Sequence, residues 1–575
     1  MNKIAMGLMF AISFVAIQAC KKNGSSSMPT DTVTNRNPVI TAPNIPVTAK
    51  TQGFFLDDWQ PKTFTVPAST TIPSAPSAAA GVIVTVDVSQ VLTKVSKYLF
   101  GNNTNPYMGQ YVTEPVLMDY LTKLSPNILR FPGGSLSDVY FWNSATQKPA
   151  DVPDSLFDSN GKLSKNQYWF GQDNSSWTFS LDNYYKVLQQ TNSTGSICVN
   201  YGYARYGTGA HPDQIAAHLA ADWVRYDKGR TKFWEIGNEN YGNWEAGYKI
   251  DTKKNKDGQP QIMTGDLCGR HFKVFADSMR KAAAEVGATI KIGGTLYEAA
   301  TSYDATQSAW DAGFLAQAGS TADYFIVHNY YTPYQDNSSV DVILNTAITN
   351  TRSVMDYMNT LAQTPGVGSK PIALTEWNIN AEGSMQKVSN IAGIHAVMVL
   401  GELLKNKYGM ASRWDLANGW SNGNDHGLFN IGDEPGASKW NARPAFYYMY
   451  YFQKFFGDQM VSSSVQGSSD VLSYASSFSS GQAGVVLVNK SSTDHIVSVN
   501  IKNYAAGSNF YYYTLTGGSD GTFSRKVLVN GSGPSGVSGG PANYDTLPVN
   551  MGSVQSGIVV DVPPRGVVFL VADRR

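Results

Sequence analysis

Two glutamates end short apolar runs: Glu239 in Trp234-Glu235-Ile236-Gly237-Asn238-Glu239-Asn240, and Glu376 in Thr375-Glu376-Trp377-Asn378. Two carboxyls facing each other across a cleft are the minimum equipment for glycoside hydrolysis. One must carry a proton for the leaving oxygen. The other must be ionised to attack the anomeric carbon. Crowding two negative charges raises one pKa and so separates the roles. A single glutamate at a strand end reads most simply as a surface ion pair, but two in matching contexts point to chemistry. Retention requires their carboxyl groups about 5–5.5 Å apart, and inversion about 6.5–9.5 Å.

The chain must hold these two residues opposite one another. From residue 95 short apolar runs alternate with helical periodicity. The runs are Tyr98–Asn102, Asn127–Phe131, Ser196–Tyr201, Lys232–Ile236, Lys291–Gly293, Tyr324–His328, Pro371–Glu376 and Ala411–Leu416. Between them, Phe272, Phe275, Met279, Ala282 and Val286 share one helix face, and Ile215, Leu219 and Trp223 recur every four residues. Eight such units over residues 95–456 predict an α/β fold, a (β/α)8 TIM barrel, with Glu239 and Glu376 at the C-terminal ends of strands four and seven. Those strands lie on opposite sides of a barrel. A doubly wound open sheet is the alternative; it normally has fewer strands, and no Gly-x-Gly-x-x-Gly follows the first run. Over 457–575 helical periodicity stops, and short β runs separated by Gly, Ser, Asn and Pro predict a C-terminal β-sandwich. Val82, Val84, Val86 and Val88 alternate along Gly81–Ser89. Residues 81–94 are therefore expected to supply an N-terminal strand that completes the sandwich.

An Asn-Glu on strand four, a Glu on strand seven and a sandwich behind the barrel resemble the clan A retaining glycoside hydrolases. The likeness runs over roughly residues 81–573, to family 51 (α-L-arabinofuranosidases) first, and to families 44, 79 and 30. It implies that Glu239 is the acid/base and Glu376 the nucleophile. It further implies that Asn238 meets the sugar 2-hydroxyl, that Arg130 of Leu129-Arg130-Phe131-Pro132-Gly133-Gly134 orients the nucleophile, and that His328 and Tyr330 flank it. Pro444 to Asp458 is similar to the last barrel helix of family 51. The chain departs from that family where Gly101-Asn102-Asn103-Thr104-Asn105 replaces Gly-x-Phe-x-Glu, and at Ser135, where the family has Asn. Gly133-Gly134-Ser135 with Asp138 loosely echoes family 79 instead.

Other residues complete the candidate site. Trp377 and Trp420 are expected to be sugar-stacking platforms. His426, in a loop after Asn422-Gly423-Asn424-Asp425, is expected to contact substrate. No Cys-x-x-Cys occurs, and Lys253 stands where a calcium loop needs an acid, so no metal and no cofactor are expected. No Gly-x-Ser-x-Gly elbow supports a serine triad.

The 575 residues carry 44 Lys+Arg against 44 Asp+Glu, which argues against nucleic acid as a partner. Aromatics make up 12% and charged residues 15%, a composition suited to sugar faces. Residues 1–20 read as a lipoprotein signal peptide: Lys3, an apolar stretch too short to span a membrane comfortably, then Ile17-Gln18-Ala19-Cys20. That ending resembles a lipobox, which implies lipidation of Cys20 and a membrane-anchored, extracytoplasmic protein, periplasmic or on the cell surface. Residues 21–80, rich in Ser, Thr, Pro and Ala, are expected to be a tether whose aromatic island Phe54–Trp59 docks on the body. Cys198 and Cys268 are expected to be buried thiols. The expectation is a retaining O-glycosyl hydrolase (EC 3.2.1 type) acting on a polysaccharide or oligosaccharide, arabinofuranosidase-like or endoglycanase-like. The rival is a non-catalytic glycan-binding lipoprotein on the same fold.

Overall fold

The computed structural model describes residues 40–302 and 304–575. The signal peptide, Cys20 and residues 21–39 of the tether lie outside the described residues.

Eight parallel strands close into a barrel: Gly101–Asn103, Ile128–Phe131, Thr194–Val199, Phe233–Ile236, Lys291–Thr295, Tyr324–Asn329, Ile372–Trp377 and Met410–Arg413. Each is almost wholly buried, because a barrel strand faces a filled interior on one side and helices on the other. That double burial makes most of the strands read as apolar runs, Gly101–Asn103 excepted. The helices carry the period expected for one covered face. On Gly265–Glu285, Phe272, Phe275, Met279 and Ala282 are buried. The last barrel helix is Pro444–Phe455. The first strand starts three residues later than the sequence suggests, because Lys97–Leu99 forms a 3-10 turn capped by the Ser96 hydroxyl.

Behind the barrel, eleven strands form one mixed sheet system. Val82–Lys94 runs antiparallel to Gln459–Gln466 and parallel to His495–Lys502, so an N-terminal strand lies inside the C-terminal sheet, as the valine alternation predicts. Strand Ala483–Asn489 shows how the sheet is glued on. Val485 and Leu487 enter the sandwich core with Val82, Val84 and Val86, while Val486 and Val488 turn to the barrel side. Period-two alternation thus serves two cores at once.

Residues 40–80 are not a free tether. Phe55 is buried with Tyr98, Phe233 and Tyr324 and closes the N-terminal end of the barrel. Lys62 donates to the carbonyls of Gln453 and Phe456, and Thr70–Thr71 pairs with Val549–Asn550. Cys198 and Cys268 are buried free thiols. Among the described residues no helix is long and apolar enough to cross a membrane.

Candidate active site

The centre of the barrel mouth is Arg130. Strand two carries it inward with no solvent exposure, and its fork meets four acceptors. Nε donates to Glu235 Oε2 at 2.8 Å, Nη1 to Glu376 Oε1 at 2.8 Å and to Asn103 Oδ1 at 3.0 Å, and Nη2 to Asn238 Oδ1 at 2.9 Å. One rigid guanidinium therefore sets strands one, two, four and seven relative to one another. Ser196 of strand three adds its hydroxyl to Glu235 Oε1 at 3.0 Å.

Glu376 takes a second donor, the Tyr330 hydroxyl, on Oε2 at 2.9 Å. Both of its oxygens accept, so its position is fixed before any ligand arrives. Burial, then the charge of Glu376, pushes the Tyr330 phenol well up, so it stays a donor. Strand six is bulged between Val327 and His328, and this shift brings His328 level with Glu376.

Glu239 lies on the far side. His328 Nδ1 is 2.7 Å from its Oε1, and the Trp244 indole donates to Oε2 at 2.9 Å. His328 Nε2 is fixed by Thr375 Oγ1 at 3.0 Å. Burial pushes the Glu239 carboxyl up, but the bond and charge of His328 and the Trp244 bond outweigh it and hold it below the usual glutamate range. Burial pulls His328 down, and the charges of Glu376 and Glu239 overcome that and raise it. Glu239 has φ +39°, a left-handed backbone that a non-glycine residue adopts only when its surroundings impose it. Asp138 does so: its carboxylate accepts from the backbone N–H of Tyr201, Gly202 and Asn238 and from Asn240 Nδ2, bracketing Glu239 in the chain.

One oxygen of Glu239, one of Glu376 and a nitrogen of His328 all lie within 4.8 Å of one another. Glu239 keeps 15% of its side chain exposed, Glu376 5% and His328 2%, so the carboxyl least walled in is the one opposite Arg130.

The structure gathers Arg130, Asn238, Glu239, His328, Tyr330 and Glu376 into this network. The His426 ring lies 5.4 Å from that of Tyr330, tilted by 59°. One expectation needs correction. Trp377 is only 1% exposed, because alternation along strand seven sends Glu376 into the mouth and Trp377 into the core. Trp420 is half-buried, set against the guanidiniums of Arg443 and Arg525. Trp414, also half-buried, lies on Gly133 and Gly134; a Cβ on Gly134 would sit 2.5 Å from its Cη2. Sequence reasoning also passed over Asn103, Glu235, Thr375, Trp244 and Glu245. Glu245 Oε1 accepts from Asn238 Nδ2 and from Ser135, the position where the chain departs from family 51.

No family model and no curated protein matches the sequence. Solved structures do match. The α-L-arabinofuranosidase of Thermotoga maritima superposes with a TM-score of 0.59 at 18% identity, over 85% of this chain and 99% of its own. The family 51 enzyme of Thermotoga petrophila gives 0.60 at 17%, over 86% and 100%. This is their fold. A family 44 xyloglucanase of Paenibacillus polymyxa shares it, with a TM-score of 0.55 at 12% identity over 85% and 99%. The resemblance to clan A glycoside hydrolases therefore holds at the level of architecture.

Proposed function

We propose that the chain is a retaining glycoside hydrolase that cleaves a polysaccharide or oligosaccharide by double displacement. The observation that carries this reading is the pairing of Glu239 with Glu376 at a separation within 4.8 Å. That spacing fits direct attack by one carboxylate and leaves no room for the water of an inverting enzyme.

In the first half, Glu376 attacks the anomeric carbon. The C–O bond breaks, and its electron pair stays on the glycosidic oxygen, which takes the proton of Glu239. Arg130 and Tyr330 hold Glu376 in line. In the second half, Glu239 removes a proton from water as the water attacks the anomeric carbon and frees Glu376. His328 lets Glu239 change charge twice, because a proton can rest on either side of the 2.7 Å contact. Asn238, aimed by Arg130 and Glu245, presents its amide beside the sugar. The neighbours of known structure include an arabinofuranosidase and a xyloglucanase. A furanoside or glucan substrate is accordingly the first class to test.

The experiment is a panel of 4-nitrophenyl arabinofuranoside, xyloside, glucoside and glucuronide together with plant polysaccharides, using Glu376→Ala as blank. The anomer first released is read by NMR. Release of the inverted anomer, or equal activity in the blank, rejects the reading. Binding without turnover in the wild type would favour the glycan-binding alternative. We further propose, from Ile17–Cys20, that the protein is an extracytoplasmic lipoprotein. Labelled palmitate should enter the wild type and not Cys20→Ser.

A further inference from the structure

Five residues beyond Glu239 the chain has turned back on itself. The Gly242 N–H donates to the Glu239 carbonyl at 2.6 Å, and the Glu245 N–H to the Gly242 carbonyl at 3.1 Å. The turn brings the Trp244 indole N–H to Oε2 of Glu239, at 2.9 Å. One face of that indole is pressed onto Gly242, where a Cβ would lie 2.3 Å from Cε2. The Tyr241 ring meets it nearly edge-on at 6.3 Å. Even so, Trp244 remains 46% exposed. A large apolar ring held open to solvent by glycine packing beneath it, and bonded to a reactive carboxylate, is a surface waiting to be covered.

We propose that Trp244 is the floor of the subsite for the leaving sugar and the residue that fixes the acid/base carboxylate. This rests on the reading of Glu239 as acid/base. The Glu239 proton goes to the glycosidic oxygen, so the ring beyond that oxygen must sit beside Glu239. His328 closes the Oε1 side and is only 2% exposed. Trp244 is the exposed neighbour on the Oε2 side. A flat indole recognises the C–H face of a sugar ring, so the leaving group is itself a saccharide, and the substrate an oligosaccharide or polysaccharide. The indole N–H bonds the charged form of Glu239 and so tunes the proton that this sugar receives. Trp244 is thus a binding residue for the leaving sugar and a positioning residue for Glu239.

The test compares two leaving groups on the sugar that the panel selects: the trisaccharide and the glycosyl fluoride. Fluoride has no ring to stack and leaves almost without protonation. The kcat/KM value reports glycosylation alone. Trp244→Ala should lower kcat/KM on the trisaccharide about 100-fold, shared between KM and kcat, and on the fluoride less than about threefold. Trp244→Phe keeps a ring and loses the N–H. It should restore KM but not kcat, and the alkaline limb of its pH profile should move up. Equal losses on both substrates, or Trp244→Phe matching the wild type in kcat and pH profile, overturn the proposal. A second measurement needs no turnover. In Glu376→Ala protein, calorimetry should show Trp244→Ala weakening trisaccharide binding about tenfold and leaving the monosaccharide unaffected. Unchanged trisaccharide affinity refutes the subsite. A wild type inert toward every glycoside refutes instead the hydrolase reading beneath it.

Discussion

Arg130 and Glu235 form an ion pair from which water is wholly excluded, Nε to Oε2 at 2.8 Å. The pair sits beneath Glu376 and Asn238, which the same guanidinium holds, so it is the foundation of the site. Breaking a buried pair from one side leaves an uncompensated charge. Glu235→Ala should therefore cost about 3–5 kcal/mol of stability in urea unfolding. Replacement by Gln, which keeps the acceptor, should cost less. A loss below about 1 kcal/mol for the alanine variant would mean that water reaches the pair.

Removal of the nucleophile should silence every substrate alike. Glu376→Ala should lose activity by a factor on the order of 10⁴ or more. Added azide should restore turnover with inverted configuration, since the small anion fits the space the side chain vacates. Azide products of retained configuration would place the nucleophile elsewhere.

The acid/base should show itself through the leaving group. Glu239→Ala should be severe on a sugar leaving group, which needs its proton, and mild in the first step on an activated aryl group. Deglycosylation then becomes limiting, and azide should rescue it with retention. Equal losses on both leaving groups without azide rescue would falsify the assignment of Glu239.

His328 and Glu239 stabilise each other's charged forms, which ties stability to pH. The folded pKa of His328 is raised above 6.5, so its contribution is full below 6.5 and is lost as pH rises through the folded value. That of Glu239 is lowered below 4.5, so its contribution is full above 4.5 and is lost as pH falls through the folded value. The pair contributes most between 4.5 and 6.5. His328→Gln should thus destabilise more at about pH 5.5 than at about pH 9. It should also move the alkaline limb of kcat/KM upward, because burial then acts on Glu239 without the opposing imidazolium. A pH-independent destabilisation would remove the charge from the argument.

Phe55 tests the role of residues 40–80. It is 1% exposed in a cluster with seven other buried aromatic and aliphatic residues at the end away from the site. Phe55→Ala should cost about 3–5 kcal/mol while leaving KM unchanged. Wild-type stability in this variant would return the segment to the status of a tether.

What the sequence made legible follows from burial. The barrel strands are buried on both faces, and most stand out as apolar runs; Gly101–Asn103 does not. Strand Gln459–Gln466 carries no such contrast, because its Ser462-Ser463-Ser464 lies on a partly exposed stretch. The catalytic candidates were legible because strand ends in a barrel converge on one mouth. Trp377 was misread by ignoring that neighbours on a strand point to opposite faces. Glu235 gives no local signal: it sits inside a strand, and nothing nearby in the sequence reveals that Arg130 waits two strands away. Trp244 depends on a turn whose geometry no residue pattern announces.

The placement of Val82–Lys94 between Gln459–Gln466 and His495–Lys502 has a consequence for biogenesis. A ribosome releases this strand first and its partners roughly 370 residues later. At about 5–20 residues per second that is some 20–70 s during which a valine-rich edge has no mate. The barrel can close in that interval, but the clasp joining head to tail cannot. Newly made chains will accordingly need a holding factor, or delivery across a membrane while still extended. Splitting the gene at residue 456 will strand half of the clasp on each fragment. Circular permutation that joins the native termini and opens the chain in a barrel loop would shorten the wait, and should raise the yield of folded protein.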